Sequence, residues 1–220
     1  MRKIYGIGVG PGDKELITLK GYNLIRSCDY VFLPSSKGDS LAGRIVSDYI
    51  KDKRVIELDF PMGEDNEERY KSAAIKINGT LGEGDVGVFL TLGDPMTYST
   101  YLYLLFELKK MDLKVETIPG ITSFNAAASR LSMPLTLRDE SFYLADGLLD
   151  EEILKRVNTV CVLKIIKNKL DILEKLTKHG FEYVCVKRCT QENETLIYEK
   201  SEILCDKDYM ALIYARRKQE

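Results

Sequence analysis

Histidine is almost missing from this chain of 220 residues; His179 stands alone. One histidine cannot supply the HExxH pair of a metalloprotease, and no cysteine–histidine pair is in view. The nucleophile elbow GxSxG is also absent, as is a phosphate loop with Gly-Lys-Ser/Thr. The five cysteines, at 28, 161, 185, 189 and 205, are odd in number and contain no CxxC. Cys185 and Cys189 form the one close pair, so reduced core thiols and no metal site are expected. No stretch approaches the roughly 20 apolar residues of a spanning helix. Gly6, Gly8, Gly10 and Pro11 interrupt the apolar start well short of a signal-peptide core, so a soluble, cytoplasmic protein is expected. Excess charge is lacking too. There are 32 basic and 34 acidic residues, giving −2 overall, and such a balance recruits neither nucleic acid nor an anionic membrane. Without a protein nucleophile, an enzyme built on this chain should use chemistry needing no acyl or phosphoryl intermediate. Methyl transfer fits, because the substrate brings the nucleophile and catalysis rests on positioning and preorganised dipoles.

What the chain does have is alternation. Strands are expected at Lys3–Val9, "YVFLP", "RVIELDF", "GDVGVFLTLGDP" and "KVETIPGIT". Helices are expected at "ELITLKGYNLIRSC", "SLAGRIVSDYIKDK", from Glu64–Asn66 to about Leu81, at "TYSTYLYLLFELKKM" and at "SFNAAASRLSM". This is the pattern of a mostly parallel sheet flanked by helices. After about Leu137 it restarts with "SFYLADG", "TVCVLKI", "EYVCVKRC", "ETLIYEK" and "YMALIYAR" as strands and "KLDILEKLTKHG" as a helix, a mixed sheet. The expected fold is α/β with two α/β domains, 1–118 and 119–220, and a ligand site in the cleft between them.

Three strands end in glycine turns, at Gly10–Gly12, Gly93–Pro95 and Pro119–Gly120. Ligands of open α/β sheets sit at such strand ends, so the three turns are expected on one edge. The first, "YGIGVGPGDKELITLK", fails the dinucleotide pattern G-x-G-x-x-G. From Gly6 the sixth position is Pro11, and from Gly8 it is Asp13. The acid wanted at the end of the second strand is missing as well. Two readings stand: a tight structural turn, or alternating glycines that let a flat molecule approach the main chain. Asp13 would repel a phosphate but could cap the next helix. In "TLGDPMTYST", Asp94 either caps a helix or serves a ligand. In "IPGITSFNAAASRL", Thr122 or Ser123 could cap, and three alanines allow close packing. His179 precedes Gly180 at an expected helix end, where an imidazolium suits the dipole. Tyr98, Tyr101, Tyr103 and Phe106 are expected mostly in the core, and the lysines of "KIIKNK" at a solvated strand end.

Taken in order, "GVGPGDKELITLKG", "TLGDPMTYST" and "IPGITSFNAAASRL" resemble the tetrapyrrole methylase family, the class III S-adenosylmethionine methyltransferases. "GDPMTYST" followed by "PGITSFNAAASRL" is most similar to the C20-methyltransferases of corrin synthesis, and "RCTQENET" resembles the family's late turn. The likeness runs over essentially the whole chain. It implies an S-adenosylmethionine site lined by Leu92, Gly93, Asp94, Thr97, Tyr98, Ser99, Thr100, Thr122 and Ser123. Leu163, Cys189, Thr190, Ala211 and Leu212 would close that site from the second domain. It implies a tetrapyrrole against Pro11, Gly12 and Asp13, with Lys14, Lys20, Arg44 and Arg138 as candidates for its carboxylates. Cobalt-factor II or precorrin-2 would be methylated at C20 in cobalamin biosynthesis by a homodimer. The base that removes the C20 proton is unassigned, with Asp94, a tyrosine or a substrate carboxylate all open. Another corrinoid position, a diphthine precursor or ribosomal RNA as substrate, and a non-catalytic binder of either ligand, are the alternatives.

Overall fold

In the computed structural model, which describes residues 1–36, 38–61 and 66–218, the chain divides into two compact units, Met1–Thr122 and Ser123–Glu220. The first unit is built on five parallel strands: β1 (Lys3–Gly8), β2 (Tyr30–Ser35), β3 (Arg54–Asp59), β4 (Val86–Thr91) and β5 (Lys114–Ile118). Their order is β3-β2-β4-β1-β5. The connections carry α1 (Leu19–Ser27), α2 (Leu41–Ile45), α3 (Glu67–Thr80) and α4 (Thr100–Leu108). Helices cover both faces, so successive strand residues belong to opposite cores. Ile4, Phe32 and Phe89 pack with Ala74 and Ile77 of α3 and Leu104 of α4. Ile7, Val31, Leu33, Val88 and Leu90 pack with Ile25 of α1 and Ala42 of α2. Burying each of the isoleucine, leucine, valine and phenylalanine side chains favours folding by about 1.5–3 kcal/mol before chain entropy is charged against it.

The second unit holds α5 (Ser123–Leu131), β6 (Phe142–Asp146), α6 (Glu151–Leu154), β7 (Thr159–Leu163), α7 (Lys169–Lys178), β8 (Phe181–Lys187), β9 (Thr195–Ile197), α8 (Lys200–Cys205) and β10 (Ala211–Arg217). Its sheet runs β6-β7-β10-β8-β9 and is mixed: β6 and β7 are parallel, the other pairs antiparallel. Its core joins Val160 and Val162, Ile172 and Leu176, Cys185 and Ile213. β10 also ties down the connection after α5. Buried Arg216 donates to both Glu140 carboxylate oxygens at 2.6 Å, to Thr159 Oγ1 at 2.6 Å and to the Pro134 carbonyl at 3.0 Å. A guanidinium paired with a carboxylate and hydrogen-bonded through both terminal nitrogens is the form in which a buried charge is tolerated.

Several elements are shorter than the sequence pattern implies. α1 starts at Leu19 rather than Glu15, because the Thr18 hydroxyl caps it by accepting the Gly21 N–H at 3.2 Å. Residues 40–53 form only α2 and a single 3₁₀ turn, Ser47–Tyr49; Gly43, Ser47 and Asp48 are weak helix formers. "ETLIYEK" is strand only over Thr195–Ile197, and α8 takes over at Lys200. The expected start of α3 at Glu64 lies outside the described residues. Tyr101 is fully buried, but Tyr103 and Phe106 are each 59% exposed on α4, so the aromatic run is not a core stripe. Of the cysteines, Cys205 is exposed and the other four are buried. No helix among the described residues is long and apolar enough to cross a membrane.

Candidate active site

The carboxyl ends of β1, β4 and β5 lie side by side, and their three turns are joined by backbone. Gly10 and Gly93 form an isolated bridge, with Gly93 N–H on Gly10 O at 2.8 Å. At Gly8 an added Cβ would fall 2.4 Å from Gly93 O and 2.7 Å from Gly120 Cα. At Gly120 it would fall 2.1 Å from Gly93 O, so the three main chains touch where no side chain fits. At Gly6 a Cβ would meet the Tyr101 ring at 2.0 Å. This corrects one expectation. The space over Gly6 and Gly8 is filled by the protein's own ring and main chain, not left for a flat ligand. The expectation that the three turns share one edge is met.

Asp94 locks this edge. Its Oδ1 accepts the Met96 N–H at 2.8 Å and lies 3.4 Å from the Thr97 hydroxyl, while Oδ2 accepts the Gly120 N–H at 3.0 Å. The side chain therefore does more than shape its own turn, because it also reaches the loop after β5. Its two oxygens are spent on backbone and hydroxyl donors, which suits a brace better than a proton carrier. Gly93 sits at φ +66° and Tyr98, a non-glycine residue, at φ +47°. Ser99 then starts α4: its Oγ accepts the Tyr101 N–H at 3.1 Å and lies 2.9 Å from Thr91 Oγ1, both hydroxyls buried. Leu92, Thr97, Thr100 and Thr122 flank the same turns. Asp13 caps a short turn at Lys14–Leu16 by accepting the Glu15 N–H at 2.8 Å. Lys14 pairs with Asp48 at 2.9 Å and Arg44 with Asp39 at 3.1 Å, so both cations have carboxylate partners. An open depression of about 540 Å³ along α1 is lined by Leu19, Lys20, Asn23, Leu24 and Ser27.

In the second unit, the sheet order sets the ends of β6, β7 and β8 beside the start of β10. Leu163, Cys189, Thr190, Ala211 and Leu212 all fall on this edge. Three non-glycine residues there are left-handed: Lys164 at φ +51°, Arg188 at +49° and Thr190 at +65°. Such strain, costing about 1–3 kcal/mol each, persists where a site needs the geometry. Lys164 pairs with Asp146 at 2.9 Å. Lys169 departs from the solvated lysines expected in "KIIKNK"; it is 7% exposed and donates to the Asp206 carbonyl. Burial pushes the Cys189 thiol up to about 12, with nearby Glu194 adding to the rise, so it is no nucleophile. Arg138 stands in the segment clamped by Arg216, with φ +45°.

A family model of the tetrapyrrole (corrin/porphyrin) methylases matches residues 3–203. The chain belongs to that family. Among the tetrapyrrole methylases it is 35% identical to a probable cobalt-precorrin-2 C(20)-methyltransferase of Methanocaldococcus jannaschii, over 99% of this chain and 97% of that protein. It is 34% identical to the cobalt-precorrin-2 C(20)-methyltransferase of Salmonella typhimurium, over 63% of this chain and 61% of that one. The fold matches that of a uroporphyrin-III C-methyltransferase from Thermus thermophilus, solved with S-adenosyl homocysteine. The TM-score is 0.75 at 24% identity, over 97% of each chain. The three glycine turns and the late turn were legible as ordered motifs. The backbone contact among Gly8, Gly93 and Gly120, and the strain at Lys164 and Arg188, were not, since nothing in a sequence marks a close approach between distant strand ends.

Proposed function

We propose that this tetrapyrrole methylase transfers a methyl group from S-adenosylmethionine to C20 of cobalt-factor II or precorrin-2 in cobalamin biosynthesis. The observation that carries this reading is the likeness to the probable cobalt-precorrin-2 C(20)-methyltransferase of Methanocaldococcus jannaschii, over 99% of this chain and 97% of that protein. S-adenosylmethionine, when bound, supplies an electrophilic methyl on sulfur. Each sheet edge fits such a ligand by itself. At the first, a Cβ on Gly93 would meet nothing nearer than 3.9 Å, so the space on that side of the turn is open, and Thr97, Thr100 and Thr122 bring hydroxyls to the same turns. At the second, buried Cys189, Ala211 and Leu212 with Leu163 offer an apolar surface beside the Thr190 main chain. Fixed carbonyls and hydroxyls stabilise dispersed positive charge without a charged side chain. The chain's own contribution is to hold donor and acceptor carbon in line and to exclude water. Pro11, Gly12 and Asp13 are the surface assigned to the macrocycle, with Lys14, Arg44 and Arg138 for its carboxylates. Assembly as a homodimer in the cytoplasm belongs to the same reading.

Incubation with S-adenosylmethionine and each macrocycle, followed by mass spectrometry, tests it. A gain of one methyl, placed at C20 by isotopic labelling, is expected. A methyl at another carbon moves the reaction to a different ring position. Binding of S-adenosylmethionine without turnover on either macrocycle makes the protein a binder and not this enzyme.

A further inference from the structure

Glu194 is a heavily used acidic side chain on the second sheet's site edge. It sits in the connection between β8 and β9 and is only 11% exposed. Its Oε2 accepts the Thr190 N–H at 2.6 Å. Its Oε1 accepts from Arg130 Nε at 2.7 Å, on the last turn of α5. The Cys189 thiol lies close enough to hydrogen-bond the same carboxylate. One carboxylate thus ties the β8 turn to the helix that begins at Ser123. The turn needs such a tie. Arg188 and Thr190 are both left-handed without being glycine, with Cys189 between them. Two strained residues in three cannot hold themselves; the surroundings must over-determine them. Arg188 is fixed on its other side, its N–H on Met210 O at 2.7 Å and its Nε on Asp208 Oδ2 at 2.5 Å. The Gln191 N–H closes the turn on Arg188 O at 2.9 Å.

We infer that Glu194, steadied by Arg130, is a positioning residue that sets the Cys189–Thr190 main chain for S-adenosylmethionine. This rests on the reading above that the turn lines the S-adenosylmethionine site. Glu194 touches no ligand in this account; it acts through the Thr190 amide. Removing it frees a strained backbone whose relaxed form has the wrong carbonyl and amide directions. Affinity for S-adenosylmethionine then falls while recognition of the tetrapyrrole does not. The Arg130 ion pair has one exposed partner, so its own share is smaller.

The test uses S-adenosylhomocysteine as probe, titrated calorimetrically, with steady-state kinetics for both substrates. Glu194→Ala, which removes both acceptors, should weaken S-adenosylhomocysteine about tenfold or more. It should raise KM for S-adenosylmethionine in step and leave KM for the macrocycle within twofold. Glu194→Gln keeps one acceptor oxygen and should recover part of the loss. Arg130→Met should cost about threefold, and Arg130→Lys less. If Glu194→Ala does not fold, the Arg130 pair of variants carries the comparison. Hydrogen exchange of residues 188–191 in the unaltered protein, with and without S-adenosylhomocysteine, separates the two ideas. Protection on binding, together with weakened variants, supports the inference. Protection with variants that bind within twofold of the parent overturns the positioning role alone. No protection at these amides removes the turn from the S-adenosylmethionine site, and this inference falls with that assignment.

Discussion

Asp94 shows how much one side chain can be asked to do. It holds the Met96 and Gly120 amides at once, so it shapes its own turn and fastens a neighbouring one. Asp94→Ala strands both donors and should cost about 1–3 kcal/mol in chemical denaturation. On the S-adenosylmethionine site proposed above, it should also weaken S-adenosylhomocysteine in calorimetry, because the Gly93 turn loses its tie to Gly120. Asp94→Asn keeps one acceptor and should fall between the two. A loss of stability with affinity unchanged would make Asp94 a cap and nothing more. Two glycines give an opposite pair. Gly8→Ala puts a carbon 2.4 Å from Gly93 O and should destabilise by about 1–3 kcal/mol or prevent folding. Gly79→Ala, late in α3 with nothing within 4 Å of the added carbon, should stabilise by about 0.5–1 kcal/mol. Thermal melts of the two variants, read side by side, check the sign of each.

Among the elements, the end of α7 offers a pH experiment. Glu151 at the start of α6 faces Lys178 and His179, which hold its carboxyl down at about 2. A depressed acid stabilises the fold above its unfolded value of about 4.5 and stops doing so as pH falls through the folded value. The melting-temperature gap between the parent and Glu151→Gln should therefore be full near neutrality and close between about pH 4.5 and pH 2. A gap that persists at pH 2 would mean the pair contributes through packing, not charge. His179 itself was readable in advance as a helix-end residue because Gly180 follows it. Strand order of apolar runs and glycine stops was equally open to reading, which is why both sheets could be anticipated. Helix lengths were not. Thr18 and Ser99 could each be followed by a plausible helix two or three residues off, and only the hydroxyl's accepted N–H fixes the start. The exposure of Tyr103 and Phe106 was hidden for a related reason. α4 is apolar all round, and its own pattern does not say which side faces out.

For the molecule as a whole, the thiols report the two cores. Cys28 in the first unit and Cys161, Cys185 and Cys189 in the second are buried, and burial pushes Cys28 and Cys185 up to about 11. Cys205 alone is exposed. A thiol reagent should label about one cysteine per folded chain quickly and the remaining four only on denaturation. Fast labelling of a second thiol in the native protein would show one unit opening without the other. Such an experiment also respects the near balance of charge, since at −2 overall no strong field biases a charged reagent toward either unit.

The bridge between Gly10 and Gly93, with Asp94 reaching Gly120, bears on how this protein could change. Three turns whose main chains touch cannot be altered one at a time. A longer first turn, or a side chain at Gly8 or Gly120, would displace the other two along with it. On the macrocycle surface proposed above, variation toward another macrocycle would enter outside this contact, at Lys14 or Arg44, whose partners are exposed carboxylates and whose replacement costs little. A library that randomises the glycines would return mostly unfolded chains, whereas one that randomises Lys14 and Arg44 would return mostly folded ones.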